Sequence, residues 1–594
     1  MCAISGLITK KAWRLEVIKS MCEIQKHRGP DYQGIYDDSL NNISLGHQRL
    51  SIIDTSNLGS QPMQSEDKRY VITFNGEIYN YIELKKELER FGYIFLSNSD
   101  TEVLLKAWIH WGESCLDKLT GMYVFSVYDK QKLTITIIRD KIGEKPLYYL
   151  HTQNTFAFAS EFKAIMLLNG KEGKFNFDLN FTSDFFGLMW NPHSDGTLLS
   201  EVKRLEPSTI LKYDVRSKNI ELKKYWDLKV DPDISNLPYF EAVERYRELF
   251  EESVKLRLRS DVPVGVMLSG GLDSSAIAAF ASNHIQNLHT YTLVFDNKNS
   301  EGKYAKEVAK HLGTRHEELH IDTKNIFDRI IKSIGHYDDL STIDGGLIST
   351  KMMSDILKKN GAKVVLLGEG SDEINAGYGK FSLSKRPFNW LPAILRDSLF
   401  YYAMSRYSIF WKGYIKNSIL SHRMIDHHEK NLLRQYTGYD IKHQLPNHLL
   451  MKVDRATMAS SIEARVPFLD PELVSFAYSL PAEYKLHGKW FTPWKNNEKY
   501  ILRDVARPYL PKNIIDRKKF GMMLPINDVL KLNLNYMQDV LMSSDSQIYQ
   551  IYDKKFIEKM LRKSKQSYNN SQYSWFLWKA TIFSLWCQHF RLSN

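Results

Sequence analysis

The chain has 594 residues, of which 43% are hydrophobic and 25% are charged. This length exceeds that of one ordinary hydrophobic core and predicts two or more domains, while the balance of apolar and charged residues excludes a disordered chain. The formal net charge is +11, but 80 basic residues against 69 acidic ones are a mild excess, so we expect a mixed charged surface and no nucleic-acid partner.

The four cysteines are widely scattered, so neither a disulfide framework nor a CxxC metal site is predicted. The sequence has no apolar run of about 18 residues and does not start like a secretory signal, so no membrane contact is predicted. Together these features predict a cytoplasmic protein.

The amino-terminal third is predicted to form sheets with a few packed helices. Runs that are continuously apolar, or alternate with a period of two, predict strands at residues 70–74, 123–127, 133–138 and 156–159. Residues 81–91 have helical spacing instead. This mixture predicts an α+β domain, which we place at residues 2–215.

The pattern changes near Asp227. A segment with two prolines and few apolar residues predicts a linker, placed at residues 216–238. Residues 239–259 then have the spacing of an amphipathic helix, and apolar strands alternate with helices beyond it, at 264–268, 291–295 and 364–367. This alternation predicts an α/β domain with a parallel sheet at residues 239–594.

Cys2 is the first candidate catalytic residue. It follows Met1 directly, and methionine is normally removed before a small residue, which would leave a cysteine with both a thiol and a free α-amine. An α-amine has an ordinary pKa near 8, so a useful fraction is uncharged near neutral pH and can take the thiol proton. One residue can therefore supply both nucleophile and base, although a cysteine at this position alone is weak evidence.

Five motifs follow Cys2 in order: HRGPD at 27–31, RLSIID at 49–54, NGEIYN at 75–80, SDTEVLL at 99–105 and RDKIGEKPLYY at 139–149. In this order they resemble the class II glutamine amidotransferase family. The resemblance implies that residues 2–215 form an N-terminal-nucleophile sandwich domain. It also implies that Cys2 releases ammonia from glutamine.

The chemistry explains the residue types in these motifs. Attack on a carboxamide builds an oxyanion, and the side chain of Asn75 with the N–H of Gly76 resembles the oxyanion hole of that family. Arg49 offers a fork for the α-carboxylate of glutamine, while Glu77 and Asp100 can accept from its α-ammonium. The glutamine-binding residues implied are Arg49, Leu50, Ser51, Ile52, Ile53, Asn75, Gly76, Glu77 and Asp100.

The second constellation is SGGLDSS at 269–275, between a predicted strand and a predicted helix. A glycine-rich turn at a helix start points N–H groups at an anion, so it predicts a phosphate cradle. The lysine of a Walker A loop is missing. The motif resembles instead the loop of ATP-pyrophosphatases, which implies cleavage of ATP to AMP and pyrophosphate, with Asp273 suited to hold Mg²⁺.

Two further motifs resemble the asparagine synthetase family: GEGSDE at 368–373 and KVDRATMASSIEARVPFLD at 452–470. The resemblance implies that Asp372 joins Asp273 at the metal, that Glu369 is a base or positioning group for ammonia, and that Lys499 neutralises charge during adenylylation. The catalytic residues implied are Cys2, Asn75, Gly76, Glu369 and Lys499. The ATP-binding residues implied are Leu268, Ser269, Gly270, Gly271, Asp273, Ser274, Ser275, Leu293, Leu367 and Gly368, with the four outside the loop lining the adenine and ribose pocket.

One motif points elsewhere. HEELH at 316–320 satisfies the HExxH pattern of zinc proteases, but it follows Gly313 and alternates polar with apolar residues as an edge strand does. Residues four apart on a strand are about 13 Å apart, too far to share one zinc. A strand is therefore predicted there.

The acceptor carboxylate is the least determined part of the prediction. Where family members often have TIR, this chain has residues 337–351 with Asp344 in place of the arginine, followed by Gly345 and Gly346. Asp344 would repel an acceptor carboxylate by about 1–4 kcal/mol at about 4 Å. Either another cation binds aspartate, or the pocket takes a bulkier acid, and aspartate is the acceptor we favour.

The combined prediction is ATP-dependent amide synthesis with ammonia from glutamine, ATP and Mg²⁺, and the resemblance also allows a homodimer. Three alternatives remain: the same machinery acting on another carboxylate such as a sugar acid, a pyrophosphatase-loop enzyme that acts on tRNA, and an inactive scaffold. The glutaminase motifs argue against the tRNA enzyme, and the presence of Cys2, Asn75, Asp273 and Asp372 argues against the scaffold.

Overall fold

The structure is a computed structural model. It describes residues 2–187, 195–295, 302–321, 326–340, 346–385, 392–404, 425–488, 497–517, 532–566 and 571–592. Among these residues, no helix combines the length and the apolar character needed to cross a membrane.

The first domain is built on two antiparallel sheets in the described part of the chain. The strands of the first sheet are β1 (Ala3–Thr9), β2 (Tyr32–Asp38), β3 (Ile43–Arg49), β8 (Tyr148–His151), β9 (Thr155–Ala159) and β10 (Val202–Arg204). The strands of the second are β4 (Met63–Gln64), β5 (Tyr70–Ile78), β6 (Gly121–Asp129), β7 (Thr134–Arg139), β11 (Thr209–Asp214) and β12 (Ile220–Lys224). Their orders are β10-β8-β9-β1-β3-β2 and β12-β11-β7-β6-β5-β4.

An apolar core lies between the two sheets. It joins Ile4 and Leu45 of the first sheet to Val124 and Ile137 of the second. Helices cover the outer face of each sheet, which is why strands such as β6 are buried along their whole length. The α+β sandwich predicted from the sequence is confirmed.

The end of this domain differs from the sequence-based boundary. Strand β12 lies inside residues 216–238, the range assigned to a linker, yet it pairs with β11 from Thr209↔Lys224 to Tyr213↔Ile220. Four of its five side chains are exposed, so this edge strand has no apolar alternation that a sequence pattern could detect. We therefore propose that the first domain extends to about residue 226.

The second domain contains a parallel sheet of order β15-β14-β13-β16-β17. Its strands are β13 (Val264–Met267), β14 (His289–Phe295), β15 (Arg315–Ile321), β16 (Val364–Leu366) and β17 (Glu463–Arg465). Because β13 and β16 are parallel neighbours, the loops that follow them meet at one edge. These loops carry the two motifs SGGLDSS and GEGSDE, so the predicted parallel sheet is confirmed and it brings both motifs together.

The HEELH motif lies on β15, at the edge of this sheet. The prediction of an edge strand is confirmed, and a helical zinc site is excluded for residues 316–320.

The helices of the first domain and of the segment before the second are α1 (Arg14–Ile24), α2 (Tyr81–Arg90), α3 (Asp100–Trp111), α4 (Cys115–Lys118), α5 (Phe162–Ile165), α6 (Leu179–Gly187) and α7 (Pro232–Ser235). Those that follow, as far as residue 404, are α8 (Tyr239–Arg257), α9 (Leu272–Ser282), α10 (Gly302–Leu312), α11 (Ile326–Lys332), α12 (Gly346–Lys359), α13 (Ser371–Ile374) and α14 (Ala393–Met404). The described residues beyond 404 include α15 (Leu432–Tyr439), a π-helix (Asp440–Leu449), α16 (Leu450–Met458), α17 (Pro471–Ser479), α18 (Ala482–Lys485), α19 (Tyr500–Ala506), α20 (Lys512–Ile515), α21 (Leu534–Met542), α22 (Lys554–Gln566) and α23 (Ser571–His589).

Helix α23 packs against both domains. Its Trp586 ring lies 5.9 Å from the Phe162 ring of the first domain, and its Phe583 ring lies 5.6 Å from that of Phe177. On the other side, Trp586 Nε1 donates a hydrogen bond to the carbonyl of Asp338 in the second domain, 2.6 Å away. Helix α23 therefore contacts residues of both domains.

Candidate active sites

The main chain of Cys2 meets the predicted oxyanion residue directly. Cys2 precedes β1 and is 8% exposed, and its N–H donates to Oδ1 of Asn75 on β5 at 3.0 Å. The Nδ2 group of Asn75 donates to Oγ of Ser160 at 3.4 Å. The packing of the two sheets thus places the predicted nucleophile beside the predicted oxyanion donor. Ser160, which the sequence analysis missed, holds the side-chain amide of Asn75.

Gly76 is required by the approach of two strands. Its φ is +153°, and a Cβ there would lie 2.0 Å from the carbonyl oxygen of Met122 on β6. Strands β5 and β6 pair at Gly76↔Tyr123, so any side chain would force them apart. The residue type is thus fixed by packing as well as by the N–H that it offers.

Arg49 lies at the end of β3 and is held by main-chain carbonyls. Its guanidinium donates to the carbonyl of Ser56 at 2.6 Å and also to that of Asp54. The loop of residues 50–53, which follows Arg49, starts beside Cys2. The carbonyl oxygen of Leu50 lies 4.0 Å from Sγ of Cys2. Leu50 of the predicted glutamine-binding run therefore lies beside the thiol.

Glu77 and Asp100 are two buried carboxylates of the first domain, and both are predicted to bind the α-ammonium of glutamine. Burial raises the pKa of Asp100 to about 6, and burial together with Glu463 raises the pKa of Glu77 well above its ordinary value. Oδ2 of Asp100 accepts from the N–H of Ile78 at 3.0 Å. Buried carboxylates that lack full compensation favour a cationic ligand, as the α-ammonium of glutamine would be.

Burial also raises the pKa of the Cys2 thiol. A buried thiol is a poor nucleophile unless a nearby base takes its proton. The α-amine that methionine removal would create at Cys2 is such a base.

The second site is a cavity of about 350 Å³ at the carboxyl ends of β13 and β16. The predicted ATP-site residues that line it are Leu268, Ser269, Gly271, Asp273, Ser274, Leu293, Leu367 and Gly368, and Glu369, Asp372 and Lys499 line it as well. The structure therefore brings most of the sequence-predicted set into one cavity.

Two predicted ATP-site residues, Gly270 and Ser275, lie next to the cavity but do not line it. Gly270 has φ +67°, and a Cβ there would lie 2.5 Å from the main-chain nitrogen of Ala305. Its carbonyl accepts from Nη1 of Arg517 at 2.9 Å. Ser275 is fully buried in α9, one helical turn inside the site, and its Oγ has no hydrogen-bond partner among the described residues.

Lys499 lies between the two predicted metal ligands. Its Nζ is 2.7 and 2.6 Å from the two carboxylate oxygens of Asp273 and 2.7 Å from Oδ1 of Asp372. The two carboxylates raise the pKa of Lys499, although its burial opposes them. Both carboxylates thus converge on one point that is occupied by a positive charge.

A second pair of polar residues lines the same cavity. The hydroxyl of Tyr378 donates to Oε1 of Glu373 at 2.7 Å, and burial with the charge of Asp372 raises the pKa of Glu373 to about 7. Sequence reasoning missed both residues, along with Thr292, whose Oγ1 has no hydrogen-bond partner among the described residues. The glutamate belongs to GEGSDE, and a carboxylate next to Asp372 was the available signal.

The cavity also contains cations that the motifs did not single out. Lys452 and Arg517 both line it, and Arg517 lies 3.9 Å above the ring of Tyr304. Asp344 and Gly345 lie outside the described residues, whereas Gly346 begins α12 and lines the cavity.

Two protein-family models match this chain, one for each of the two sites. A family model described as asparagine synthase matches residues 245–588, and one described as a glutamine amidotransferase domain matches residues 1–226. The chain belongs to the asparagine synthase family. The resemblance seen in the sequence is thereby confirmed.

Several relatives match most of the chain. The chain is 31% identical to asparagine synthetase (glutamine-hydrolyzing) 1 of Bacillus subtilis (strain 168), over 99% of this chain and 96% of that protein. It is 31% identical to asparagine synthetase B (glutamine-hydrolyzing) of Escherichia coli (strain K12), over 87% of this chain and 81% of that protein. Family membership and these relatives make the chain a glutamine-dependent amide ligase driven by ATP.

Proposed function

We propose that the chain converts L-aspartate, L-glutamine, ATP and water to L-asparagine, L-glutamate, AMP and diphosphate. The observation that carries this proposal is the cavity in which the SGGLDSS loop, Glu369 and the Asp273–Lys499–Asp372 cluster face one another. The loop lacks a Walker lysine, so it suits a pyrophosphate that leaves and not a γ-phosphoryl group that is transferred.

In the first site, Cys2 attacks the carboxamide carbon of glutamine, and its thiol proton passes to its own α-amine. Asn75 and the N–H of Gly76 stabilise the oxyanion. Arg49 binds the α-carboxylate of glutamine, and Asp100 with Glu77 binds the α-ammonium. Collapse of the tetrahedral intermediate releases ammonia and leaves a thioester, which water hydrolyses to glutamate.

In the second site, the acceptor carboxylate attacks the α-phosphorus of ATP, which forms an acyl-adenylate and releases pyrophosphate. Lys499 offsets the negative charge that develops there, and Ser269 and Ser274 offer hydroxyl donors at the helix start. Ammonia then attacks the acyl carbon and expels AMP, with Glu369 positioned at the cavity wall to hold it. Internal transfer is needed because ammonia released to neutral water becomes ammonium, which is not a nucleophile.

The donor set fits Mg²⁺. Asp273 and Asp372 both contact the same Nζ, so their carboxylates converge on a point where a cation is stable. Mg²⁺ is usually bound by one or two carboxylates together with substrate phosphates and water. When bound, it would supply positive charge to the leaving pyrophosphate.

Aspartate as acceptor needs a cation for its second carboxylate. The arginine that is common at position 344 in the family is Asp344 here, but Lys452 and Arg517 line the cavity and can serve instead. A bulkier acid, such as a sugar acid, remains the second candidate because the segment 337–351 carries Gly345 and Gly346.

The test supplies glutamine and ATP with aspartate or with one of several sugar acids, and measures pyrophosphate release together with the amide formed. Aspartate-dependent release with asparagine as product supports the proposal. Active glutamine hydrolysis without asparagine would move the assignment to the acid that does trigger release, and ADP with phosphate as products would refute the adenylylation route.

A further inference from the structure

Arg28, in the HRGPD motif, links the nucleophile to the other domain. Its side chain is fully buried, and its Nε donates to the carbonyl of Cys2 at 3.1 Å. Its two terminal nitrogens donate to the two carboxylate oxygens of Asp454, at 2.7 and 3.0 Å. Asp454 lies on α16 of the synthetase domain and is 2% exposed.

The pair has the geometry of a strong interaction. Two parallel N–H···O bonds fix the plane of a guanidinium as well as its position. Besides Arg28, Lys145 is a cation near Asp454, and its Nζ lies 3.9 Å from Oδ1 of Asp454. The alternative, Glu161, lies 3.2 Å from Arg28 but also contacts Lys163 at 2.7 Å and His27 at 3.0 Å. The fork of Arg28 is therefore oriented chiefly by Asp454.

This orientation reaches the reacting residue. The main chain of Cys2 is held at its nitrogen by Asn75 and at its carbonyl by Arg28, so both ends of the nucleophilic residue are fixed. The first contact is made within the glutaminase domain. The second depends on the direction of the guanidinium, which Asp454 fixes with two hydrogen bonds and Glu161 with one.

We propose that Asp454 is a positioning residue of the glutaminase site, acting through Arg28 although it belongs to the synthetase domain. The proposal rests on the proposed function, in which Cys2 is the nucleophile. Helix α16 also carries Lys452 in the wall of the nucleotide cavity, so one helix contributes to both sites. The glutaminase site is then complete only when this helix is docked against it.

The test is the full-length Asp454→Asn variant, which keeps the volume of the side chain and removes its charge. A displaced nucleophile loses about 10- to 100-fold in kcat for glutamine hydrolysis, while KM for glutamine changes much less because Arg49, Glu77 and Asp100 are untouched. Ammonium-dependent amide synthesis stays within about twofold of wild type. The Asp454→Glu variant, which restores a carboxylate, recovers part of the lost kcat.

Asp339→Asn is the matched control. Asp339 is as buried as Asp454, and it also makes a contact across the domain interface, since it accepts from the hydroxyl of Tyr148 in the first domain at 2.9 Å. Within its own domain it pairs with Arg455 at 3.0 Å. It does not touch Arg28 or Cys2. Glutamine hydrolysis by this variant is expected to stay within about twofold of wild type. An equal loss in both variants would mean that only a loosened interface is being measured, and would overturn the proposal.

The Cys2→Ala variant distinguishes failure of the proposed function from failure of the role proposed for Asp454. If Cys2→Ala still hydrolyses glutamine, the proposed function and the inference both fail. If hydrolysis depends on Cys2 but Asp454→Asn retains wild-type kcat, the inference alone fails. Should Asp454→Asn not fold, Arg28→Lys probes the same link from the other side, since lysine keeps the charge without the fork, and an unchanged kcat there overturns the proposal.

Discussion

Replacing Lys499 by methionine tests the role of the positive charge in the proposed nucleotide cavity. Nζ of Lys499 lies 2.6–2.7 Å from oxygens of Asp273 and Asp372, and at an effective dielectric constant of about 20 each contact amounts to roughly 6 kcal/mol of Coulomb attraction. Desolvation offsets much of this, and removing one partner of a buried pair costs about 3–5 kcal/mol. Because both aspartates also face the cavity and keep some water, the lower end, about 3 kcal/mol, applies.

The same charge is expected to act in the transition state. A loss of about 3 kcal/mol corresponds to roughly a 100-fold fall in rate. We therefore expect Lys499→Met to lower kcat for amide synthesis by about 10²–10³ and to leave glutamine hydrolysis unchanged. Steady-state measurement of pyrophosphate release, with ammonium as nitrogen source, isolates the synthetase step.

Lys485→Met is the matched control for this variant. Lys485 is also a fully buried lysine, but its Nζ donates to the carbonyl of Ala477 at 2.9 Å, away from the cavity, and burial lowers its pKa to about 7. The Lys485→Met variant should be less stable than wild type, but its folded fraction should keep the wild-type kcat for amide synthesis. A fall of less than about tenfold in Lys499→Met, or an equal fall in both variants, would refute the charge argument.

Three further predictions concern the individual domains. Cys2→Ala is expected to abolish glutamine hydrolysis but to retain ammonium-dependent synthesis, and loss of both activities in a folded variant would contradict the two-site account. KM for glutamine should rise as the pH falls below about 6, because the buried carboxyl of Asp100 then takes up a proton and no longer attracts the α-ammonium; Asp100→Asn should remove this pH dependence, and its persistence would assign the titration to another group. Gly270→Ala should lower the free energy of unfolding by about 1–3 kcal/mol, since the new Cβ meets the main chain of Ala305 in a left-handed conformation, and a denaturation midpoint equal to that of wild type would exclude the clash.

Local sequence patterns predict a feature well when the feature depends on one strand and the loop that follows it. The loops SGGLDSS and GEGSDE each follow an apolar strand, and parallel neighbours bring their ends together, so the meeting of the two loops at one cavity could be predicted without coordinates. The motif predicts Gly270 and Ser275 in the site with the rest of the loop, whereas neither residue lines the cavity, because only one side of a turn and of a helix start can face it. A motif specifies the loop and does not specify which of its residues point inward.

The contacts between the domains could not be predicted in this way. Arg28 and Asp454 are 426 positions apart, and nothing in the sequence near either residue encodes the other. Strand β12 was missed for a different reason, since an exposed edge strand has few apolar side chains to produce a pattern. Asp344 and Gly345 lie outside the described residues, so their predicted effect on the pocket stays a prediction.

The position of helix α23 has a consequence for the order of events during translation. The family model of the first domain matches as far as residue 226, while the helix that packs on Phe162 and Phe177 of that domain ends at His589. At roughly 5–20 residues per second, the ribosome needs about 20–70 s to make the chain between these points. During that interval the first domain can fold while its Phe162 and Phe177 are uncovered, and for about the first 10–50 s Arg28 also has no Asp454 to meet. The newborn protein is therefore expected to hydrolyse glutamine efficiently only after the domain that consumes the ammonia has been synthesised.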